Sequence, residues 1–370
     1  MPFTIIRNDI TKVAADAIVN TANPEPTVGR GTDSAIYTAA GWDKLLAARK
    51  KIGAIEPGGA AHTKAYALPA RYIIHTVGPV WIDGASGERE TLRRCYENSL
   101  ALAQKLGCRS VAFPLISTGT YGFPKDEALE IALSAIQRFL LQSEMLVTLV
   151  VFGREAFRLS ERLFGGVREF IDEKTAAQQY AREYGGDDAR RYEAIRRRRA
   201  EMAKMNAAAP RAEQDAEETE YAPAPSSPAP AAKRPAAPRP VSGDMVGQAT
   251  LEDFLKCEED TFQQRLFRLI DASGMDDVTV YKRANLDRKL FSAIRKKKDY
   301  RPKKQTAVAL AIALRLDLKT TRDLLARAEL AFSPSNKFDL IVSYFITNRN
   351  YDIFELNAVL FKYDQPLLGA

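Results

Sequence analysis

Up to about residue 172 the chain alternates short apolar runs with longer amphipathic ones. Runs of β-branched residues predict strands, and apolar residues three and four apart predict helices. The strand-like runs are TIIRND, AIVNTAN, RYIIHTVGP, SVAFPLIS and MLVTLVVF, and the helical ones are SAIYTAAGWDKLLAARKKIG, ETLRRCYENSLALAQKLG and KDEALEIALSAIQRFLLQ. This alternation predicts an α/β domain over residues 1–173, with a mixed sheet and a ligand site at the carboxyl ends of its strands.

The rest of the chain has two further compositions. Residues 174–248 are first polar, with a run of arginines at Arg196–Arg199, and then rich in Ala, Pro, Glu and Ser. They predict a charged helical segment and a disordered linker, because such a segment buries too little apolar surface to fold. The arginine run is more typical of a solvated helix face than of a nucleic-acid contact. Residues 249–370 show helical periodicity, which predicts a small all-α domain.

Charge and cysteine content narrow the chemistry only slightly. The net charge of +7 over 370 residues suits an acidic partner without identifying one. The cysteines, Cys95, Cys108 and Cys257, have neither metal-ligand nor disulfide spacing, so no metal site and no cofactor are expected. No apolar run is long enough for a membrane span and no export signal is recognisable, so we expect a cytoplasmic protein without a membrane partner.

Two glycine-containing loops carry the candidate chemistry. The first follows the strand AIVNTAN and runs through Gly29, Arg30 and Gly31 to Asp33, and the second is STGTYGF after the strand SVAFPLI. Such loops bring backbone N–H groups and helix N-termini together, which favours an anionic ligand. Neither loop is a Walker or GxGxxG motif. Asp33 could instead cap its helix, and His75, within an apolar strand, is expected to be a core residue.

Five motifs occur in one order along the first 170 residues: RNDIT, IVNTAN, GRGTDSAIYTAAG, RYIIHTVGP and PLISTGTYGFP. Together they resemble the macrodomain family. The resemblance implies a three-layer α/β/α fold that binds ADP-ribose or an ADP-ribosylated protein. In its hydrolytic, MacroD-type branch, an Asn orients the distal ribose, and an Asp ten residues later helps to position water for cleavage of an ADP-ribosyl ester on an acidic side chain. Asn23 and Asp33 match that pair.

The same resemblance implies the ligand contacts. They are Asp9 and Ile10 for adenine, Asn20, Gly29, Arg30 and Gly31 in the first loop, Ser117, Thr118, Gly119, Thr120, Tyr121, Gly122 and Phe123 in the second, and Phe152 after the last strand. Two of these have alternatives: Asn20 could simply hold the loop, and Phe152 could be a core residue. Arg30 departs from the family pattern because it interrupts a run of glycines. This leaves open a non-catalytic reader of ADP-ribose. Independently of Arg30, O-acetyl-ADP-ribose is an alternative substrate.

A second resemblance lies in VYKRANLDRKLFSAIRKKKDYRPKKQTAVALAIALRLDLKTTRDLL. It is similar to the helix-turn-helix of Cro and phage-repressor-type regulators, with a turn at Asn285 and a recognition helix from Asp287. The resemblance implies DNA contacts by Arg288, Lys289, Ser292 and Lys296, and eleven Lys or Arg against two Asp from Lys282 to Lys304 suit phosphate binding. A protein-interaction module is the alternative for this domain. For the whole chain, a further alternative to the hydrolase is a DNA-binding regulator or a defence component with ADP-ribose as its effector.

Overall fold

The structure is a computed structural model that describes residues 2–152, 165–172, 174, 260–297 and 299–369. These residues belong to one compact unit, Met1–Ala176 with Asp260–Ala370. Most of the predicted segment 174–248, with the linker and Arg196–Arg199, lies outside the described residues, as does Cys257. Among the described residues, no helix is long and apolar enough to cross a membrane.

A six-stranded sheet forms the centre of the first part of the chain. Its strands are β1 (Phe3–Arg7), β2 (Ala17–Thr21), β3 (Ala60–Lys64), β4 (Tyr72–Thr76), β5 (Ser110–Pro114) and β6 (Leu146–Val151), in the order β1-β6-β5-β2-β4-β3. Five strands run parallel, and β3 pairs antiparallel with β4. The carboxyl ends of the parallel strands therefore share one edge of the sheet, and the mixed sheet is confirmed.

Helices cover both faces of this sheet. They are α1 (Thr32–Ala40), α2 (Trp42–Ile52), α3 (Glu88–Lys105) and α4 (Lys125–Leu140), with a short 3₁₀ helix at Ile10–Lys12. Consecutive residues of a strand face opposite sides. Ile18 of β2 accordingly packs with Ile36 of α1, whereas Val19 belongs to the core that contains Leu92 of α3 and Leu129 of α4. The three-layer α/β/α arrangement is confirmed.

Two local features differ from the sequence-based prediction. Strand β3 was not predicted, because in AAHTK only Thr63 is buried and the segment lacks an apolar alternation. The run SAIYTAAGWDKLLAARKKIG was predicted as one helix, but it forms α1 and α2. The break is at Gly41, whose φ of 100° is accessible to glycine and strained for other residues.

Beyond residue 260 the described residues form helices and connecting turns, so the predicted helical character is confirmed. The helices are α5 (Phe262–Ser273), α6 (Asp277–Arg283), α7 (Arg288–Lys296), α8 (Lys304–Ala313), α9 (Leu318–Ala326), α10 (Lys337–Thr347) and α11 (Ile353–Lys362). Six of them begin after a residue whose side chain accepts a first-turn N–H, as expected for N-caps: Thr261, Asp276, Asp287, Asp317, Asn336 and Asp352. Helix α8 is buried over its last eight residues and forms the centre of this segment.

The turn between α6 and α7 packs against the edge of the sheet. Asn285 has φ 54°, the left-handed conformation expected from the sequence, and its side chain is buried. Its carboxamide accepts a hydrogen bond from the N–H of Phe3 and donates one to the C=O of Phe3, each at 2.9 Å. Phe3 also stacks on Phe354 of α11 at 4.8 Å, and Arg7 forms an ion pair with Asp364. At Phe3, the carboxamide thus makes the two backbone hydrogen bonds that a neighbouring strand would otherwise make with the edge strand β1.

Candidate functional site

A cavity of about 770 Å³ opens at the carboxyl ends of the parallel strands. This is the size and position expected of a small-molecule site in an α/β fold. Most of the predicted ligand contacts line it: Asp9, Ile10, Asn23, Gly29, Arg30, Gly31, Ser117, Thr118, Gly119, Thr120, Tyr121 and Phe152. The structure therefore brings together residues from both glycine loops, from the end of β1 and from the end of β6.

Asn23 is held at the cavity wall by contacts from both loops. Its side-chain Nδ2 donates to the Thr27 hydroxyl at 3.0 Å, and its Oδ1 accepts from the Tyr121 hydroxyl at 3.2 Å. Burial, and then the charge of Asp33, raises the pKa of Tyr121, so the phenol stays protonated and able to donate. The two bonds fix which way the Asn23 amide faces and connect the first loop to the second.

Asp33 lies behind the cavity wall and is only 2% exposed. One carboxylate oxygen accepts from Asn20 Nδ2 and the other from the backbone N–H of Gly29, both at 2.6 Å. Burial raises the pKa of Asp33, while these two hydrogen bonds and the charge of Arg49 act in the opposite direction. The carboxylate thus ties the glycine loop to β2. Helix α1 has Gly31 as its N-cap residue, so the alternative that Asp33 is that cap is wrong.

Asn20 connects Asp33 to a buried histidine. Asn20 and His75 are both fully buried, with Asn20 Nδ2 at 3.2 Å from His75 Nδ1 and Thr63 Oγ1 at 3.0 Å from His75 Nε2. Burial, followed by the charges of Arg49 and His62, lowers the pKa of His75 to about 3. His75 is therefore neutral, and it accepts from Asn20 if it donates to Thr63. The expectation of a core histidine is confirmed.

Arg49 of α2 supports the first loop from below. Its side chain is buried, and its guanidinium donates to the carbonyls of Asn23 at 3.1 Å, Pro24 at 2.9 Å and Gly53. A buried guanidinium needs such acceptors because an unpaired charge in the interior is costly. The backbone of Asn23 is thus fixed by a residue that the sequence-based reasoning did not single out.

Asp9 and Phe152 stand at the opposite end of the cavity. Asp9 caps the 3₁₀ helix, and its Oδ1 accepts from the backbone N–H of Thr11 at 3.0 Å and from the Thr11 hydroxyl at 2.7 Å. The hydroxyl bond, then the backbone bond, lowers the pKa of Asp9, so it is ionised at neutral pH. Phe152 is 79% exposed, and the alternative that it is a core residue is wrong.

The second loop forms the wall between these two ends. Ser117 adopts φ 64°, in the left-handed region, and its side chain is buried. Among the described residues, its hydroxyl has no hydrogen-bond partner. A buried hydroxyl normally has a hydrogen-bond partner. The Ser117 hydroxyl belongs to a residue that lines the cavity, so a bound ligand could supply that partner. This arrangement suits a ligand rich in oxygen atoms.

Some predicted contacts are not on the wall, and some wall residues were not predicted. Asn20, Asp33, Gly122 and Phe123 lie outside the lining, the first two because they are turned into the core. The lining adds Asn8, Thr21, Ala22, Thr32, Ala35, Gly78, Pro114, Leu115, Lys125, Val150 and Val151. Most of these follow or end a parallel strand, or begin a helix. Their positions at the ends of strands and the starts of helices were the feature of the sequence from which they could have been predicted.

Comparisons with known proteins agree with this architecture. The Macro domain model matches residues 19–132. A macro domain-containing protein of Chlorobaculum tepidum is 49% identical over 147 residues, which are 40% of this chain and 84% of that protein. The chain belongs to the macrodomain family. An O-acetyl-ADP-ribose deacetylase of Citrobacter rodentium is 45% identical over 164 residues, 43% of this macrodomain chain and 93% of the relative.

Solved macrodomain structures are also similar to this chain. The Oceanobacillus iheyensis macrodomain with ADP is 38% identical, with a TM-score of 0.40, over 42% of this chain and 85% of that one. The Trypanosoma brucei macrodomain in complex with ADP-ribose is 37% identical, with a TM-score of 0.39, over 42% of this chain and 66% of that one.

In the part of this macrodomain chain that the structure describes, no three His, Cys, Asp or Glu side chains cluster as metal ligands.

Proposed function

We propose that this chain binds ADP-ribose in the cavity and hydrolyses esters at the distal ribose. Water would add across the ester, releasing ADP-ribose and a carboxylic acid. The observation that carries this proposal is the position of Asn23, whose amide is fixed by Thr27 and Tyr121 where the two glycine loops meet. The names of relatives such as the O-acetyl-ADP-ribose deacetylase of Citrobacter rodentium support the same chemistry.

The adenine group would lie at the end of the cavity formed by Asp9, Ile10 and Phe152. Both hydrogen bonds to Asp9 end on Oδ1. Its Oδ2 is therefore suited to accept a hydrogen bond from an exocyclic amino group. The exposed ring of Phe152 and the side chain of Ile10, both on the wall, would give the base apolar contacts.

The diphosphate would lie between the two glycine loops. Helix α1 begins at Thr32 and helix α4 at Lys125, and both residues line the cavity. Helix N-termini attract anions through free N–H groups and the helix dipole. Arg30 and Lys125 contribute positive charge to the same wall, and the Ser117 hydroxyl offers a further donor.

The distal ribose would reach Asn23 and Tyr121. Asn23 is proposed to orient the ribose. The sequence-based hypothesis gives Asp33 the task of positioning water, but its carboxylate already accepts two short hydrogen bonds behind the wall. We therefore propose that Asp33 acts by holding the Gly29 loop in place, so that the loop and the ligand's own diphosphate position the water.

The test is to incubate the full chain with protein mono-ADP-ribosylated on Glu or Asp, and separately with O-acetyl-ADP-ribose. We expect the wild-type chain to release ADP-ribose and the Asn23→Ala and Asp33→Ala variants to lose most of that activity. A displacement of about 1 Å in groups that orient the substrate can cost about 10²-fold in rate. Binding of ADP-ribose without turnover of either ester would replace this proposal by the reader function, with Arg30 blocking the approach of water.

A second function is proposed for the exposed face of α7: nucleic-acid binding. Arg288, Lys289, Ser292 and Lys296 are all exposed, and among the described residues these three cations form no ion pair. With its side chains an α-helix is about 10–12 Å across, which fits the width of the DNA major groove, about 12 Å. Cations at the two ends of α7, with the small Ser292 between them, would suit phosphates on either side of the groove.

This second function is tested by gel shift of the full chain on duplex DNA at several salt concentrations. We expect binding that weakens with salt, and a smaller salt dependence when Lys289 and Lys296 are both replaced by Gln. A salt dependence that is the same in the double variant would remove α7 from the interface. Absence of binding at low salt on every duplex would favour a protein partner for this segment.

A further inference from the structure

The order of the strands fixes which loops lie at which end of the cavity. Along the shared edge, the loops follow β1 with Asp9, then β6, β5 and β2 with Asn23, and finally β4. Neighbouring strands are about 5 Å apart. The start of the loop after β4 therefore lies one strand beyond the end of β2, which Asn23 follows, on the side opposite Asp9. This is the end at which an acyl group on the distal ribose would leave.

The loop after β4 presents two apolar side chains to solvent. Val80 is 56% exposed and Ile82 is 72% exposed, and we call these two residues the aliphatic knuckle. Between them, Trp81 turns inward and packs edge-on against Phe123 with ring centroids 4.6 Å apart. The backbone N–H of Trp81 donates to the C=O of Tyr121 at 2.9 Å. The knuckle is thus joined directly to the residue whose hydroxyl holds Asn23.

Hydrogen bonds to one carboxylate fix the backbone of the knuckle at Ile82 and just after it. The Glu88 carboxylate, which is buried, accepts hydrogen bonds from the backbone N–H groups of Ile82, Asp83 and Gly84 at 3.1–3.2 Å. Burial alone would raise the pKa of Glu88, but these bonds and its own backbone N–H lower it to about 2, so the clamp is ionised at neutral pH. The backbone between the two exposed side chains is therefore fixed by hydrogen bonds, through Trp81 to Tyr121 and through Ile82 to Glu88.

The start of the same loop touches the cavity. Gly78 lines the wall, and a Cβ on it would lie 2.1 Å from the Ser117 hydroxyl oxygen, so glycine is required for this approach. Arg89 lies over the Trp81 ring at 5.4 Å and bonds to Glu127 of α4. The loop is consequently attached at its start to the cavity wall and further along to α4.

We infer that the aliphatic knuckle binds the polypeptide that carries the ester, through an apolar side chain a few residues from the modified acid. This inference rests on the proposed function and adds a surface that contacts the protein part of the substrate. An acetyl group on the distal ribose would end near Asn23, one strand short of the knuckle. A polypeptide would continue outward across Val80 and Ile82. Burying this apolar pair would add affinity only for the larger substrate.

The test compares two substrates on one variant of the full chain. Val80→Ser combined with Ile82→Ser changes only exposed side chains that lie outside the cavity lining. We expect kcat/KM for protein mono-ADP-ribosylated on Glu to fall about tenfold or more, mainly through KM, as is usual when interface anchors are truncated. The kcat/KM for O-acetyl-ADP-ribose should not change, which also shows that the variant is folded. Val278→Ser, at another exposed valine of 46% exposure, is the matched control and should affect neither substrate.

Two outcomes would overturn the inference: an unchanged kcat/KM for the protein substrate, or an equal fall for both substrates. Failure of the proposed hydrolysis would be seen separately, as absence of turnover by the wild-type chain. In that case the role of the knuckle is tested by the affinity of the chain for its ligands. The double variant should bind an ADP-ribosylated protein about tenfold more weakly than wild type and free ADP-ribose equally well, and equal affinities for both ligands would again refute the role of the knuckle.

Discussion

Replacing Asp33 by Asn tests whether this carboxylate acts on the loop or on water. The carboxylate accepts one hydrogen bond from Gly29 N–H and one from Asn20 Nδ2, each at 2.6 Å. An amide has only one acceptor oxygen, so Asn at this position can accept from only one of the two donors. Its NH₂ group would then face the other donor, with which it cannot form a hydrogen bond. A hydrogen bond to a charged group contributes about 1.5–3 kcal/mol. Removing the cost of a buried charge offsets part of this, and we expect a net loss of about 1–2 kcal/mol.

This loss should be seen in the ordering of the Gly29 loop and therefore in ligand affinity. Since about 1.4 kcal/mol corresponds to a tenfold change in a dissociation constant, Asp33→Asn should bind ADP-ribose about tenfold more weakly. Calorimetric titration of the full chain measures this, and release of ADP-ribose from the ester measures turnover. A variant with unchanged affinity and a hundredfold lower kcat would refute the loop-holding role and restore direct action on water.

The pH dependence gives an independent check on Asp33. Its pKa is raised by burial, so the folded protein binds this proton more tightly than the unfolded chain does. Its charge therefore costs stability at neutral pH, and that cost disappears as pH falls through the raised pKa. Protonation of Asp33 removes a hydrogen-bond acceptor from the Gly29 loop. The affinity of the wild-type chain for ADP-ribose should therefore decline on acidification at a pH above 3.8. Asp9 is still ionised at that pH because its pKa is lowered. The Asp33→Asn variant should lack this step.

Substitutions at three further positions test other contacts of the fold and the site. Tyr121→Phe removes the hydrogen bond to Asn23, and kcat for the ester should fall severalfold while affinity for ADP-ribose changes little; an unchanged kcat would show that this bond does not orient Asn23. Asn285→Ala should lower the free energy of unfolding by about 2–4 kcal/mol, because Phe3 loses both bonds and a positive φ is strained in alanine. Asn285→Gly relieves the strain and should recover only part of that loss in a denaturant titration. The pKa of Glu88 is lowered to about 2, so its hydrogen bonds should stabilise the fold fully above pH 4.5. That contribution should be lost as the pH falls towards 2. Glu88→Gln should remove this part of the acid unfolding profile.

The sequence predicts the parallel strands well because they are buried on both faces and form continuous apolar runs. It also predicts most of the cavity wall, since that wall consists of strand ends and glycine loops. The directions of individual side chains depend on distant partners and could not be predicted. Asp33 turns away from the cavity because Gly29 and Asn20 donate to it, and Asn20 in turn contacts His75, 55 positions along the chain. These contacts appear only when the sheet is assembled.

The contact between Asn285 and Phe3 joins residues 282 positions apart, and no local pattern predicts it. The left-handed turn at Asn285 was predicted because asparagine adopts that conformation readily. Its partner was not, since a carboxamide bonded to a strand edge leaves no periodic signal. The nucleic-acid hypothesis for α7 remains compatible with this contact, because the buried turn precedes the exposed face of the helix.

The covering of β1 has a consequence for any attempt to work with the α/β part alone. A chain cut after residue 176 would lose Asn285 and Phe354 and leave the outer N–H and C=O groups of Phe3 without these partners, beside a bare aromatic ring. Unprotected strand edges pair with one another. Such a fragment is expected to self-associate on concentration, and measurements of ligand binding on it would report aggregates as well as monomers. By covering β1, the helical segment is thus expected to protect the sheet from self-association at this edge.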